Sequence, residues 1–182
     1  MIQAAGKLLE KEGVEALSLR EVARRAGVSH AAPYRHFPER EALLAALAVE
    51  GFAWLGEAQR AAAKAGGLRA MGEAYVAFAL ARPQRFRLMF GGRIPIAKHA
   101  QLREVATRAH DELAGALAAS LPGAPGAMDC SVAAWALVHG LAQLLLGGRI
   151  PSAAKRGRDD AKFVREVLAT TRFVAIPAQP PA

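Results

Sequence analysis

The stretch SLREVARRAGVSHAAPYRHFPER, Ser18 to Arg40, limits what this chain can become more than any other. Ser18 with Glu21 three residues later is a capping box, the side-chain pattern that opens a helix. Leu19, Val22 and Ala23 give that helix an apolar side, while Arg20, Arg24 and Arg25 point elsewhere. Gly27 stops it, because glycine accepts the left-handed backbone of a helix end. Val28 plugs the gap to the next element. Ser29 stands where it can cap a second helix, which Phe37 anchors at its far end and Pro38 stops. Glu39 then sets a negative charge at the positive end of a third helix. Helix, short turn containing glycine, helix is the layout whose second helix enters the DNA major groove. A helical hairpin inside a bundle has the same outline, but its second helix would carry Leu or Ile. Here that helix is His30, Ala31, Ala32, Tyr34, Arg35 and His36, nearly all small or polar.

The segment around it is more specific. A first helix ends in Gly13, then come Leu17-Ser18-Leu19-Arg20, Val22-Ala23, Ala26-Gly27-Val28-Ser29, Tyr34-x-His36-Phe37 and Glu41-x-Leu43-Leu44. Across Ala4 to Ala48 this resembles the DNA-binding domain of the tetracycline-repressor (TetR) family of transcriptional regulators. A looser resemblance lies downstream. Trp135-x-x-x-His139-Gly140, with Arg82-Pro83-Gln84-Arg85-Phe86-Arg87-Leu88-Met89-Phe90 before it, is similar to the Trp-His-Gly branch of that family.

The 182 residues are 53 % hydrophobic, dominated by Ala and Leu with few β-branched runs, which favours helices throughout. An all-α fold of about nine helices is expected: a three-helix head with the helix-turn-helix, then a helical bundle. The expected domains are 1–48 for DNA binding, 49–174 for effector binding and dimerisation, and a frayed tail at 175–182. Net charge is +8, but residues 1–50 balance seven Lys/Arg against seven Glu. Within 18–40, five arginines face two glutamates, so the field is positive where a polyanion would lie. The downstream basic excess reads as a solvated surface. One cysteine, Cys130, excludes an internal disulfide and fits a reducing cytoplasm. It reads as a small apolar filler before it reads as a redox sensor. The longest apolar run, Val132 to Leu146, is shorter than a membrane span and includes His139 and Gln143, so no membrane partner is expected.

Periodicity places a helix at 2–13 and a long connecting helix from Glu39 to about Lys64, broken by Ala65-Gly66-Gly67. Further helices are expected at Leu68–Ala81, at Gln84–Phe90 opening on Pro83, at Ala97–Leu121, at Met128–Leu146 and from Asp159 to about Phe173. Pro122–Gly126 reads as a turn and Gly147–Arg158 as a basic loop. Family members carry a few more residues, often a basic arm, before the first helix. No arm stands before Ile2 in this sequence, so none is counted among the expected DNA contacts.

The resemblance implies that Tyr34 and His36 bond phosphates; the competing reading makes Tyr34 part of the head's core. Short rigid donors of this kind fix register without reading sequence. Arg40 can reach a phosphate, and Arg20 a phosphate or a base edge. Base reading falls to His30, Ala31, Ala32 and Arg35 on the helix that Ser29 caps, since Arg forks onto guanine and alanine packs on a thymine methyl. Pro33 is tolerated only in a first turn, where its missing N–H is not needed. One short reading helix needs a two-fold partner, so a homodimer on a double-stranded, palindromic operator is expected. Its faces are Val132, Trp135, His139 and Leu146, then Phe163, Val164, Val167, Leu168 and Thr171; both stripes can also serve their own core.

A pocket for a small apolar effector is expected among the body helices, from Trp54, Met71, Tyr75 and Phe78 together with Phe86, Met89, Phe90, His110 and Trp135. Each of these also fits a plain core position. His139 reads as a buried histidine satisfied by one hydrogen bond, and Gly140 as a place where a neighbouring helix comes close. His99, His110 and His139 lack metal-ligand spacing, so no metal and no cofactor are expected. No catalytic constellation is present, so an enzyme is not expected: Ser120 and Ser131 have no evident base. The readings left are a repressor released by an effector and a helical small-molecule-binding dimer without DNA binding.

Overall fold

The computed structural model describes residues 1–120 and 127–171. Among these the chain forms eight α-helices and no strand. They are α1 (Ile2–Glu12), α2 (Leu19–Ala26), α3 (Arg40–Ala81), α4 (Pro83–Phe90), α5 (Ala100–Ser120), α6 (Ala127–Leu146), α7 (Ser152–Lys155) and α8 (Asp160–Ala169). Short 3-10 turns lie at Val14–Ala16, Pro33–Arg35 and Ile96–Lys98. The packing separates two compact units. The first holds Met1–Trp54 and Arg82–Thr107; the second holds Leu55–Ala81 and the described residues from Arg108 on.

Local chemistry explains most boundaries. Gly13, with φ 82°, ends α1 and donates to the Leu9 carbonyl. The expected break in the connecting helix is real: inside α3, Gly66 and Gly67 leave helical geometry, and Gly67 has φ 67° and ψ −154°, open to glycine alone. Pro83 is the first residue of α4, where its missing N–H has no partner to lose. Asp159 caps α8, accepting from the Lys162 N–H at 2.7 Å.

In the first unit Ala5, Leu8 and Leu9 of α1, Leu19, Val22 and Ala23 of α2, and Leu43, Leu44 and Leu47 of α3 are buried with Phe86, Leu88 and Met89 of α4. In the second, Tyr75, Val76 and Ala79 of α3 are buried, as are Leu113 and Leu117 of α5, Val138 and Leu141 of α6, and Phe163, Val164 and Leu168 of α8. A Cβ added at Gly72 would meet Leu168 and Val138 at 3.1 and 3.2 Å, so the bare glycine lets α6 and α8 close on α3.

Several expectations change. The second helix of the reading motif is not an α-helix; only the 3-10 turn at Pro33–Arg35 forms there. α5 begins at Ala100, because Ile96–Lys98 forms a separate 3-10 turn. The basic loop contains the short α7, and α8 stops at Ala169, before Phe173. α6 starts at Ala127, and its segment Met128–Leu146 is long and apolar enough to cross a membrane, a length and composition that core helices of soluble proteins also reach. The expected turn at 122–126 and the tail at 175–182 lie outside the described residues.

Candidate nucleic-acid interface

The reading motif opens as its residues require. Ser18 Oγ accepts from the Glu21 N–H at 3.1 Å, and Gly27 closes α2 at φ 67°, ψ 30°. Beyond Gly27 most hydrogen bonds tighten to three-residue spacing: Ala32 N–H to the Ser29 carbonyl at 3.0 Å, Arg35 N–H to Ala32 at 3.3 Å, His36 N–H to Pro33 at 3.0 Å; Phe37 N–H alone reaches back four, to Pro33 at 2.9 Å. The cause is Pro33. An α-turn would need residue 33 to donate to the Ser29 carbonyl, and proline has no N–H. Ala32 donates instead, and the backbone settles into 3-10 form. No side-chain cap bond is made there.

This turn displays its polar residues. Ser29, His30, Ala31, Arg35 and His36 are exposed, and Ala32 is half-buried. Tyr34 is 52 % exposed, so its ring is no core anchor. Pro33 is buried and Phe37 half-buried; these two hold the turn to the head.

The five arginines of the stretch divide. Arg24 donates to Glu21 at 2.6 and 2.8 Å, and Arg25 donates to Glu21 at 2.7 Å and to Glu12 of α1 at 2.6 Å. Hydrogen bonds from Arg24 and Arg25 pull the Glu21 carboxyl down to about 2. Arg40 places Nε 2.6 Å from the Leu17 carbonyl and Nη2 2.6 Å from that of Val14. Arg20 and Arg35 are exposed, with no ion-pair partner among the described residues. Glu21 and Glu12 offset Arg24 and Arg25, so the positive field at this surface rests chiefly on Arg20, Arg35 and Arg40.

The residues expected to line an effector pocket fall into both units. In the first, the Arg85 and Arg82 guanidiniums lie 4.4 and 5.1 Å from the Trp54 ring centre. Phe90 packs on Phe86 and, edge-on, on Phe52, while Phe86 is fully buried and Met89 buried. In the second, Met71 and Phe78 are buried, and Tyr75 Oη lies 2.9 Å from His139 Nδ1 and accepts from Trp135 Nε1 at 3.2 Å. His110 Nε2 is 3.3 Å from Ser131 Oγ. Burial drives the Tyr75 phenol far above its ordinary range and lowers His139, so both are neutral at pH 7. His139 is bonded to Tyr75, as expected of a satisfied histidine, and it also meets Gln143 at 3.3 Å.

A groove of about 410 Å³ lies elsewhere in the second unit, between α3 and α8, walled by Ala74, Val76, Ala77, Leu80, Ala161 and Val164 with Glu73, Asp160 and Arg165 at its rim. None of the expected pocket residues lines it. Its alanine-rich wall carries no sequence signal of a site.

The expected pairing faces also divide. Phe163, Val164 and Leu168 are buried within their own subunit, and Val167 and Thr171 half-buried. On α6, Val132 and Trp135 stay 49 and 38 % exposed, and His139 and Leu146 half-buried. A Cβ at Gly140 would meet nothing within 4 Å, so among the described residues no neighbouring helix approaches closely there. Among the described residues no three His, Cys, Asp or Glu side chains are grouped to hold a metal. Cys130 is a free, half-buried thiol.

The family model of bacterial regulatory proteins, tetR family, matches residues 1–47, and that of the tetracyclin repressor-like C-terminal domain matches residues 68–170. None of the curated proteins matches the chain. Among solved structures, a protein of unknown function from Rhodococcus sp. RHA1 is 36 % identical, with 93 % of this chain and 90 % of that one covered and a TM-score of 0.78. SCO4313, described as a regulatory protein, is 27 % identical over 93 % of this chain and 91 % of its own, with a TM-score of 0.73. The TetR family transcriptional regulator PfmR from Thermus thermophilus is 20 % identical over 92 % of this chain and 94 % of its own, with a TM-score of 0.65.

Proposed function

Since the chain belongs to the TetR family of DNA-binding transcriptional regulators, we propose that it is a homodimeric repressor released from a palindromic operator by a small, largely apolar effector. The observation that carries this reading is the outward display of Tyr34, Arg35 and His36 on a turn that proline and phenylalanine hold to the head. Tyr34 and His36 bond phosphates, and His30, Ala31, Ala32 and Arg35 meet base edges. Arg20 adds a phosphate contact.

One such turn covers too few base pairs for specificity. Two subunits place two of them about 34–36 Å apart on one face of the duplex. Val132 and Trp135, an exposed apolar pair on α6, support pairing through that helix. The effector binds the body, residues 49–174, through Tyr75, Met71 and their neighbours, and favours a state in which the heads no longer match the half-site spacing. A hundredfold loss of operator affinity needs about 2.7 kcal/mol of differential binding.

The test is selection of duplexes from random-sequence DNA, followed by binding measurements on the double variant Tyr34→Ala, His36→Ala. A palindrome with half-sites one helical turn apart is expected, and the double variant loses it while remaining a dimer. Unchanged retention of the duplex would refute the contacts. Failure of the wild type to select any duplex leaves a ligand-binding dimer without DNA-binding activity.

A further inference from the structure

We propose that Arg40 is the positioning residue that closes the reading motif on itself, and is not one of its phosphate ligands; this rests on the DNA-binding reading above. Arg40 is the first residue of α3, just beyond the turn that carries Tyr34, Arg35 and His36. Its guanidinium reaches back across the motif, Nε to the Leu17 carbonyl and Nη2 to the Val14 carbonyl, each at 2.6 Å. Leu17 directly precedes Ser18, the cap of α2. One side chain therefore ties the residues that enter the motif to the residue that leaves it.

The turn needs such a tie. It is held internally by three three-residue hydrogen bonds, whose geometry is poorer than that of an α-helix, and by a single four-residue bond from the Phe37 N–H to the Pro33 carbonyl. Pro33 and Phe37 anchor it to the head, but Tyr34 contributes no buried ring. If the entry and exit of the motif drift apart, Arg35 and His36 lose their aim while the helices on either side stay folded. Arginine suits the task because Nε–H and one Nη–H lie on the same edge of a planar fork and can serve two carbonyls at once. Lysine has charge without that edge. With both donors of that edge engaged by carbonyls, Arg40 does not present it to a phosphate.

The two roles predict different salt dependence. With a duplex selected by the wild type from random-sequence DNA, Arg40→Gln and Arg40→Lys each lose about tenfold in affinity, the effect of removing hydrogen bonds from a charged group. The slope of log affinity against log salt stays at the wild-type value in Arg40→Gln. In the comparison variant Arg20→Gln the slope falls by about one, because a phosphate-facing charge is gone. In the unmutated protein the Arg40 Nε–H gives a slowly exchanging nitrogen-15 resonance that does not move when the duplex is added. That measurement decides the matter even if a variant folds poorly. A slope lowered by one in Arg40→Gln with Arg40→Lys near wild type, or an Arg40 Nε–H exchanging as fast as that of Arg20, overturns the proposal while the DNA reading stands. If no duplex is selected, the DNA reading fails and this proposal falls with it.

Discussion

Arg85 of α4 donates Nη1 to the Glu50 carboxylate of α3 at 2.8 Å, with the arginine side chain only 2 % exposed. The same nitrogen donates to the Leu47 carbonyl at 2.8 Å, the guanidinium lies over Trp54, and Glu10 of α1 stands 3.9 Å from Nε. Glu10 in turn accepts from the Gln84 and Arg85 N–H groups at 3.2 and 3.1 Å, capping the start of α4. One buried cation thus joins α1, α3 and α4. Glu50→Ala leaves it short of its main counter-charge and is expected to lower stability by about 3 kcal/mol. Arg85→Met removes the charge itself and leaves carboxylates that reach water, so it should cost less. Urea midpoints of the two variants check the order; an Arg85→Met variant less stable than Glu50→Ala would show that packing on Trp54 outweighs the charge pair.

Glu21 holds two arginines out of the reading field. Its folded-state pKa, about 2, lies below the ordinary value of 4.5. A depressed carboxylate stabilises the fold above its unfolded pKa, and that contribution is lost as pH falls from about 4.5 towards 2. Carbon-13 titration of the Glu21 carboxyl should show the low midpoint. Glu21→Gln should release Arg24, while Arg25 keeps its bond to Glu12, and strengthen non-specific DNA binding with a steeper salt slope. An unchanged slope would mean that Arg24 points away from the duplex.

His139 is lowered by burial, so the native state resists the proton that the unfolded chain accepts near pH 6.5. The unfolded state then binds more protons in that region, and stability falls as pH drops from about 7 through 6.5. His139→Gln is expected to flatten this part of the stability–pH curve. Identical curves for the two proteins between pH 5 and 7 would assign the acid sensitivity elsewhere.

Val132, half exposed on α6, makes a direct test of subunit pairing. Val132→Asp should leave the subunit's own core intact and convert the dimer to a monomer in sedimentation. A dimer of unaltered strength would place the interface away from this face of α6.

Elements whose causes lie within about four residues were legible in advance. The Ser18–Glu21 cap, the stop at Gly27, the break at Gly66-Gly67, the start of α4 at Pro83 and the Asp159 cap all follow from side chains bonding or releasing nearby backbone groups. The polar make-up of residues 29–36 likewise told that this segment could not belong to a core. Pro33 suits a first turn and limits how early a helix can begin, and the segment forms only a 3-10 turn at Pro33–Arg35.

Folding in three dimensions decided the partners. Arg25 meets Glu12 across two helices, Arg40 turns back to carbonyls more than twenty residues earlier, and Arg85 finds Glu50 on another helix. Periodicity marked Phe163, Val164 and Leu168 as an apolar stripe, but only the path of α8 turned them inward and left Val132 and Trp135 of α6 facing out. The reason is one of range. Caps, turns and helix stops are settled by atoms a few bonds apart, whereas the destination of a long charged or apolar side chain depends on which distant segment the folded chain brings beside it.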